Sequence, residues 1–204
     1  MYSPAHFRLT DQAELLRFMR AHSFATLITA PGGVPFASHI PLLIESEQSA
    51  DGSEALYLRS HLARANPQWQ HFGEADSLVI FQGPHALIDP AWYESRPNVP
   101  TWNYAAVHAY GQAQVVAGEA TRRIAYGLVE QHTPGMAAIP ADLERRMLAG
   151  VVTFELRVSK LEGKYKLSQN KTAADRANVQ RELALSGSTH ERATAEMMEA
   201  HSAD

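Results

Sequence analysis

The chain has 204 residues, 45% hydrophobic and 20% charged, a size and balance that suit one domain, or a domain with appendages, around an ordinary packed core. It has no cysteine, which excludes disulfides and thiolate metal sites and makes a reducing cytoplasm the expected location. The net charge of −4 weighs against a general nucleic-acid binder, and with no apolar run near the roughly 20 residues that cross a bilayer and no apolar signal core after Met1, no membrane role is expected.

Asp11-Gln-Ala-Glu14 reads as a capping box, and Leu15, Leu16, Phe18 and Met19 follow at helical spacing, so a helix is predicted over 11–22. Residues 25–30 form a short buried strand, Pro31-Gly-Gly33 a turn, and 34–44 a second strand that Pro41 places at an edge or a bulge. The polar stretch 46–54 reads as a surface loop. A third strand over 55–58 is predicted to feed an amphipathic helix near 62–72. Residues 77–82 form a strand that stops at Gly83-Pro84, and 85–88 form another. Asp89-Pro90 turns the chain, and Pro97 and Pro100 exclude a helix over 94–101. A long strand is predicted over 103–116, with Gly111 as a bulge. Helices over 120–131 and 141–148 precede a strand over 151–158 and a turn at Gly163. Thr172-Ala-Ala-Asp175 opens a helix to about Leu185, and after Ser186-Gly-Ser188 a terminal helix runs over 191–201.

Strands in runs joined by short turns, with helices inserted between them, argue a mainly β, α+β fold: an antiparallel sheet or barrel with peripheral helices. Residues 1–185 would form the domain and 186–204 a helical tail.

The ten histidines are scattered, with no spacing typical of a metal site, and no Gly-rich dinucleotide loop, phosphate loop or nucleophile elbow is present. Ser60, His61 and Arg64 stand at the predicted strand-to-helix junction. A helix start carries free N–H groups and a positive dipole end, so these side chains would complete an anion site; the alternative is an ordinary cap with a surface arginine. Four segments mix polar and aromatic residues: 37–41, 60–69, 99–104 and 163–170. Together they suit a flat conjugated ligand with a phosphate tail. Each also has a plain structural reading: Trp102 and Tyr104 as core, Gln169 and Asn170 as turn residues, Lys164 and Lys166 as solvent-facing, His39 and His108 as structural. From Arg157 to Arg181 seven basic residues face two acidic ones, a zone open to a phosphate-bearing cofactor, DNA or water.

Several blocks carry a resemblance. They are Met1-Tyr-Ser-Pro-Ala-His-Phe7, Phe24-Ala-Thr-Leu-Ile-Thr29, Ala37-Ser-His-Ile-Pro-Leu-Leu43, His61-Leu-Ala-Arg-Ala-Asn-Pro-Gln-Trp69, Ile80-Phe-Gln-Gly-Pro-His-Ala86, Val99-Pro-Thr-Trp-Asn-Tyr-Ala-Ala-Val-His-Ala109 and Glu162-Gly-Lys-Tyr-Lys-Leu-Ser-Gln-Asn-Lys171. On these the chain resembles the PaiB-type FMN-binding negative transcriptional regulators, relatives of the pyridoxamine-phosphate oxidase-like split barrels. The resemblance implies a six-stranded antiparallel split β-barrel, a homodimer and FMN in the cleft between two chains. Carried over by position, Ser60, His61 and Arg64 would hold the phosphate, and Ser38 and His39 would lie beside the flavin. Trp102 and Asn103 would approach from the third segment, and Lys166 and Gln169 from the last, from this chain or its partner. DNA stays open as a partner, although no helix-turn-helix stands out. Two further readings rest on the same barrel. One is a flavin-dependent oxidoreductase with His39 or His61 as proton donor; the other is a haem protein with His39, His61 or His108 as axial ligand.

Overall fold

The computed structural model describes residues 1–48, 52–136 and 139–201. The elements are β1 (Arg8–Leu9), α1 (Gln12–Ala21), β2 (Phe24–Thr29), β3 (Phe36–Pro41), β4 (Leu43–Gln48), β5 (Glu54–Ala63), β6 (Ser77–Ile88), β7 (Thr101–Val116), α2 (Glu119–His132), α3 (Ala141–Ala149), β8 (Val151–Lys166), α4 (Ala173–Ala184) and α5 (Thr189–Ala200). The strand order is β3-β2-β6-β7-β8-β5-β4, with β1 on β8. The pairings β1–β8, β2–β3, β2–β6, β4–β5 and β5–β8 all run antiparallel.

The α+β class stands, but the sheet has eight strands rather than the expected six. Two features account for the difference. A break at Leu42 divides one run into β3 and β4, and the two-residue β1 pairs with Lys164 and Gly163.

The chain forms two compact units, each gathered from separate segments. The central unit comprises Leu16–Phe81 and His108–Leu161; the terminal unit comprises Met1–Leu15, Gln82–Val107 and Glu162–Asp204.

In the central unit the two ends of the strand order, β3 and β4, are consecutive strands joined through Leu42 alone. The sheet must therefore curl until its edges come near each other. Leu42 is fully buried, and its N–H donates to the Ser23 carbonyl at 2.9 Å. Pro41 ends an edge strand, where its missing N–H costs no ladder bond, as its sequence position suggested. The inner face buries Leu27, Leu58, Val79, Phe81, Phe154 and Leu156 completely. Each such side chain stabilises the fold by about 1.5–3 kcal/mol relative to exposure. On the other face α2 lays Ile124 and Leu128 against Leu43 and Val116.

In the terminal unit α4 and α5 bury Val179, Leu183, Ala195 and Met198, and Ile88, Tyr93 and Leu167 complete that core. The Thr172 hydroxyl caps α4 by accepting from the Asp175 N–H at 3.1 Å, as the capping box predicts. Asp175, itself without exposure, accepts from the N–H groups of Glu94 and Ser95 and from the Ser95 hydroxyl. That carboxylate pins the proline-containing segment to the start of α4.

Four local readings are corrected. The helix near 62–72 is absent: β5 runs on to Ala63, paired with β8 from Tyr57↔Arg157 to Ala63↔Val151, and only a 3-10 turn over Pro67–His71 follows. Pairing with a buried neighbour outweighs the helical preference of Leu62 and Ala63. Gly83-Pro84 does not stop β6, because the registered partners in β2 end at Ile80 and Pro84 lies beyond them. Gly163 sits inside β8 rather than in a turn. A Cβ there would stand 2.4 Å from Leu15 Cδ2 and 3.0 Å from the Leu9 carbonyl oxygen, so the residue serves close packing. Of the polar stretch 46–54, residues 46–48 belong to β4 and Glu54 begins β5, while 49–51 lie outside the described residues.

Candidate functional site

Five of the nine expected site residues lie in the central unit. Ser38, on β3, accepts from Asn66 Nδ2 at 2.9 Å, and Asn66 also caps the 3-10 turn through the Gln68 N–H. His39 is exposed and shares a hydrogen bond of 3.0 Å with the Thr26 hydroxyl through Nδ1. Ser60 is fully buried, and its hydroxyl donates to the Pro41 carbonyl at 2.6 Å. His61 is half-buried, its Nδ1 is buried without a hydrogen-bond partner, and burial holds its imidazole below the ordinary value. Arg64 is exposed, and two of its five guanidinium N–H donors are engaged. Nε donates to the Ala149 carbonyl and an Nη to the Val151 carbonyl, both at 2.7 Å.

These residues lie in different local settings. On a strand successive side chains point to opposite faces, so Ser60 faces the core and His61 the side that carries Arg59. Arg64 ties the C-terminal end of α3 to the start of β8, satisfying the Ala149 carbonyl that the helix leaves unpaired and bonding the Val151 carbonyl. The expected junction needed a helix start, and β5 supplies none.

The His61 face of β5 holds an ion cluster instead. Arg59 is 3% exposed and contacts Glu45 at 2.6 Å, Glu47 at 2.6 Å and Glu155 at 3.1 Å, and Glu155 is its register partner on β8. Arg123 of α2 reaches the same Glu45 at 3.3 Å. The three carboxylates hold the Arg59 guanidinium firmly charged, and the Arg59 hydrogen bond draws the Glu47 carboxyl below its ordinary value.

The other four lie in the terminal unit. Asn103 is fully buried and bonds the Ser168 hydroxyl, with Nδ2 to Ser168 Oγ at 3.0 Å. Ser168 holds a left-handed backbone, φ 63°, that this bond helps fix. Gln169 closes a local turn: its Nε2 donates to the Tyr165 carbonyl at 2.6 Å and its Oε1 accepts from the Leu167 N–H at 2.7 Å. Asn103 and Gln169 thus brace the local backbone. Trp102 exposes half of its surface, 52%, and its ring stands 6.1 Å from the ring of His85, which in turn stands 4.5 Å from that of His190. Lys166 is half-buried and donates through Nζ to the Thr101 hydroxyl and the Trp102 carbonyl, both at 2.5 Å.

Two lysines that the sequence reading set aside as solvent-facing or left among the surface charges join Lys166 here. Lys164 is only 7% exposed; its Nζ donates to the Tyr2 carbonyl at 3.1 Å and stands 5.2 Å from the Tyr104 ring centre. Lys171 donates to Asn98 Oδ1 and stands 4.5 Å from the Tyr93 ring centre. No ion pair joins any of the three to a carboxylate among the described residues. Burial, and then repulsion from Lys164 and Lys171, lowers the Lys166 ammonium from its ordinary value. The signal was legible in Lys164-Tyr-Lys166, since a period of two on a strand sets both lysines on one face.

The terminal unit therefore offers cations without counter-ions beside an open indole, and the central unit offers a neutral imidazole with an idle ring nitrogen. An anionic, planar group matches the first set in charge and shape.

Comparison with known proteins agrees with that chemistry. The model of the family described as "Putative FMN-binding domain" matches residues 1–160. "Protease synthase and sporulation protein PAI 2" of Bacillus subtilis is 38% identical over 208 residues, covering 98% of this chain and 97% of that protein. Two solved structures share the fold. The FAD and heme binding protein from Mycobacterium smegmatis has a TM-score of 0.61 at 18% identity, covering 83% of this chain and 78% of that one. The flavocytochrome Anf3 from Azotobacter vinelandii has a TM-score of 0.62 at 16% identity, covering 84% and 75%. No helix among the described residues is long and apolar enough to cross a membrane. On its match across most of its length, this chain belongs to the FMN-binding-domain family, and FMN is its cofactor.

Proposed function

We propose that this protein is an FMN-binding split-barrel regulator of gene expression that works as a cytoplasmic homodimer, with cofactor occupancy or redox state biasing the dimer. The observation that carries the reading is 38% identity over nearly the whole length of both chains to a protein named for protease synthesis and sporulation. Exposed apolar residues in the terminal unit support a partner surface: Leu87 is 47% exposed, Val99 74% and Trp102 52%. A contiguous patch built from these residues would favour coverage by another chain.

FMN, when bound, supplies reversible electron transfer. The chain's own part is to bind and orient it. In this reading Trp102 offers a ring face and Lys166 a cation.

The test combines sedimentation with DNA binding. The full chain with FMN should sediment as a dimer and bind a subset of genomic fragments with affinity that falls steeply as salt rises. A monomer that binds no fragment selectively at low salt would remove the regulator. Flavin bleaching by a nicotinamide donor in that same protein would favour an oxidoreductase in its place.

A further inference from the structure

Buried charges in folded proteins are paired or coordinated, because desolvating an isolated ion is costly. Lys164 departs from that rule, and the half-buried Lys166 and Lys171 share its lack of a countercharge. Lys164 is more than nine-tenths buried, and its one hydrogen-bond acceptor is a neutral backbone carbonyl. Lys166 and Lys171 likewise spend their protons on a hydroxyl, a carbonyl and an amide oxygen. The one acidic side chain in this stretch of β8, Glu162, is ion-paired with the chain's own N-terminus. A lysine ammonium has three protons, so Lys164 and Lys171 each keep donors beyond the bonds described.

We infer that Lys164, Lys166 and Lys171 form the anion site of this protein, and that they take the terminal phosphate of the flavin in place of Arg64. The inference rests on the FMN reading for its ligand and on the lysines for its position. A phosphate dianion supplies the missing countercharge, and its oxygens accept the unused ammonium protons. The geometry at Arg64 argues the other half. Its guanidinium already bridges two carbonyls, and Ser60, expected to act with it, is buried with its hydroxyl spent on the Pro41 carbonyl. The link to the ring is local. Lys166 grips the carbonyl of Trp102, whose indole is half open, so phosphate on the lysines sets an attached planar ring within range of an aromatic face.

The test measures affinities of the full chain for FMN and for riboflavin, which lacks the phosphate, by flavin fluorescence quenching. Wild type should prefer FMN. K166Q and K171Q, at half-buried positions and checked for unchanged melting, should each lose about tenfold to a hundredfold in FMN affinity, the worth of one hydrogen bond to a charged group. Their riboflavin affinity should stay as it was, and R64Q should keep the wild-type preference. Unchanged preference in both lysine variants, or its collapse in R64Q, overturns the assignment.

Inorganic phosphate provides an arm free of the flavin. At matched ionic strength phosphate should raise the melting temperature of wild type relative to chloride, and K166Q should abolish that rise. If neither flavin binds but phosphate protects through the lysines, the cofactor reading fails and the anion site stands. If FMN binds with no part for the lysines, the cofactor reading stands and the anion site fails. If neither flavin binds and phosphate gives no protection, both fail.

Discussion

Ser60 and His61 are adjacent in sequence and opposed in space: the Ser60 hydroxyl is sealed against the Pro41 carbonyl in the core, while the His61 ring lies on the face that carries the Arg59 cluster. Sequence alone assigns the pair to one anion site. On a strand they are parts of two different environments, and they answer mutation differently.

Ser60→Ala removes the donor that satisfies the Pro41 carbonyl at the chain's step from β3 to β4. Chemical denaturation should show a loss of about 1–2 kcal/mol, combining a lost hydrogen bond with a buried acceptor left unpaired. FMN affinity should not change.

His61 should make stability depend on pH in a defined direction. Burial lowers its value in the fold from the ordinary 6.5. Below pH 6.5 the unfolded chain takes up a proton that the native chain refuses. Its contribution is therefore complete above that pH and is lost as pH falls toward the lowered native value. His22 is shifted the same way by burial. Denaturation midpoints followed from neutral pH downward should fall less steeply in His61→Gln than in wild type. Parallel curves would show that the ring titrates as if exposed.

Arg59→Met should be among the most damaging substitutions in the central unit. It strands Glu45, Glu47 and Glu155 around an apolar side chain. Removing one partner of a buried pair costs about 3–5 kcal/mol, and the lower end applies because Glu45 and Glu47 are 37% and 47% exposed. The sign of the acid effect follows from Glu47. Its value in the fold is depressed, so its stabilisation is present above the ordinary 4.5 and lost as pH falls through the lowered value. Arg59→Met should flatten that part of the acid unfolding curve.

Two glycine substitutions should separate backbone from side-chain crowding. In Gly111→Ala the new Cβ would stand 2.0 Å from the Arg157 carbonyl oxygen, which is fixed in β8. The strands would have to part, at a cost of about 3 kcal/mol or more. In Gly127→Ala the Cβ would meet Leu43 Cδ1 at 2.8 Å, the far end of a flexible side chain. Helix propensity returns up to about 1 kcal/mol there, so the net change in melting should be small.

Helix ends and capping residues were legible in the sequence. Asp11 does accept from the Glu14 N–H at 2.9 Å, and Thr172 caps α4. Local chemistry decides such features, and one sequence contains it. The resemblance also led to the family and to FMN. What failed depended on distant neighbours. Leu62 and Ala63 read as helix until β8 is beside them, and Gly163 reads as a turn until Leu9 and Leu15 are packed on it. The same blindness shaped the site. The bonds of Arg64 are hidden in sequence because the carbonyls it meets, those of Ala149 and Val151, lie more than eighty residues on. Lys164 looks solvated because the Tyr2 and Tyr104 side chains that cover it come from other segments.

The most direct test is the flavin content of the purified chain. After equilibration with FMN and removal of free ligand, the protein should be yellow, carry FMN in stoichiometric amount, and release it intact as FMN on denaturation. A folded, colourless protein that quenches no FMN fluorescence when titrated would contradict the account at its root.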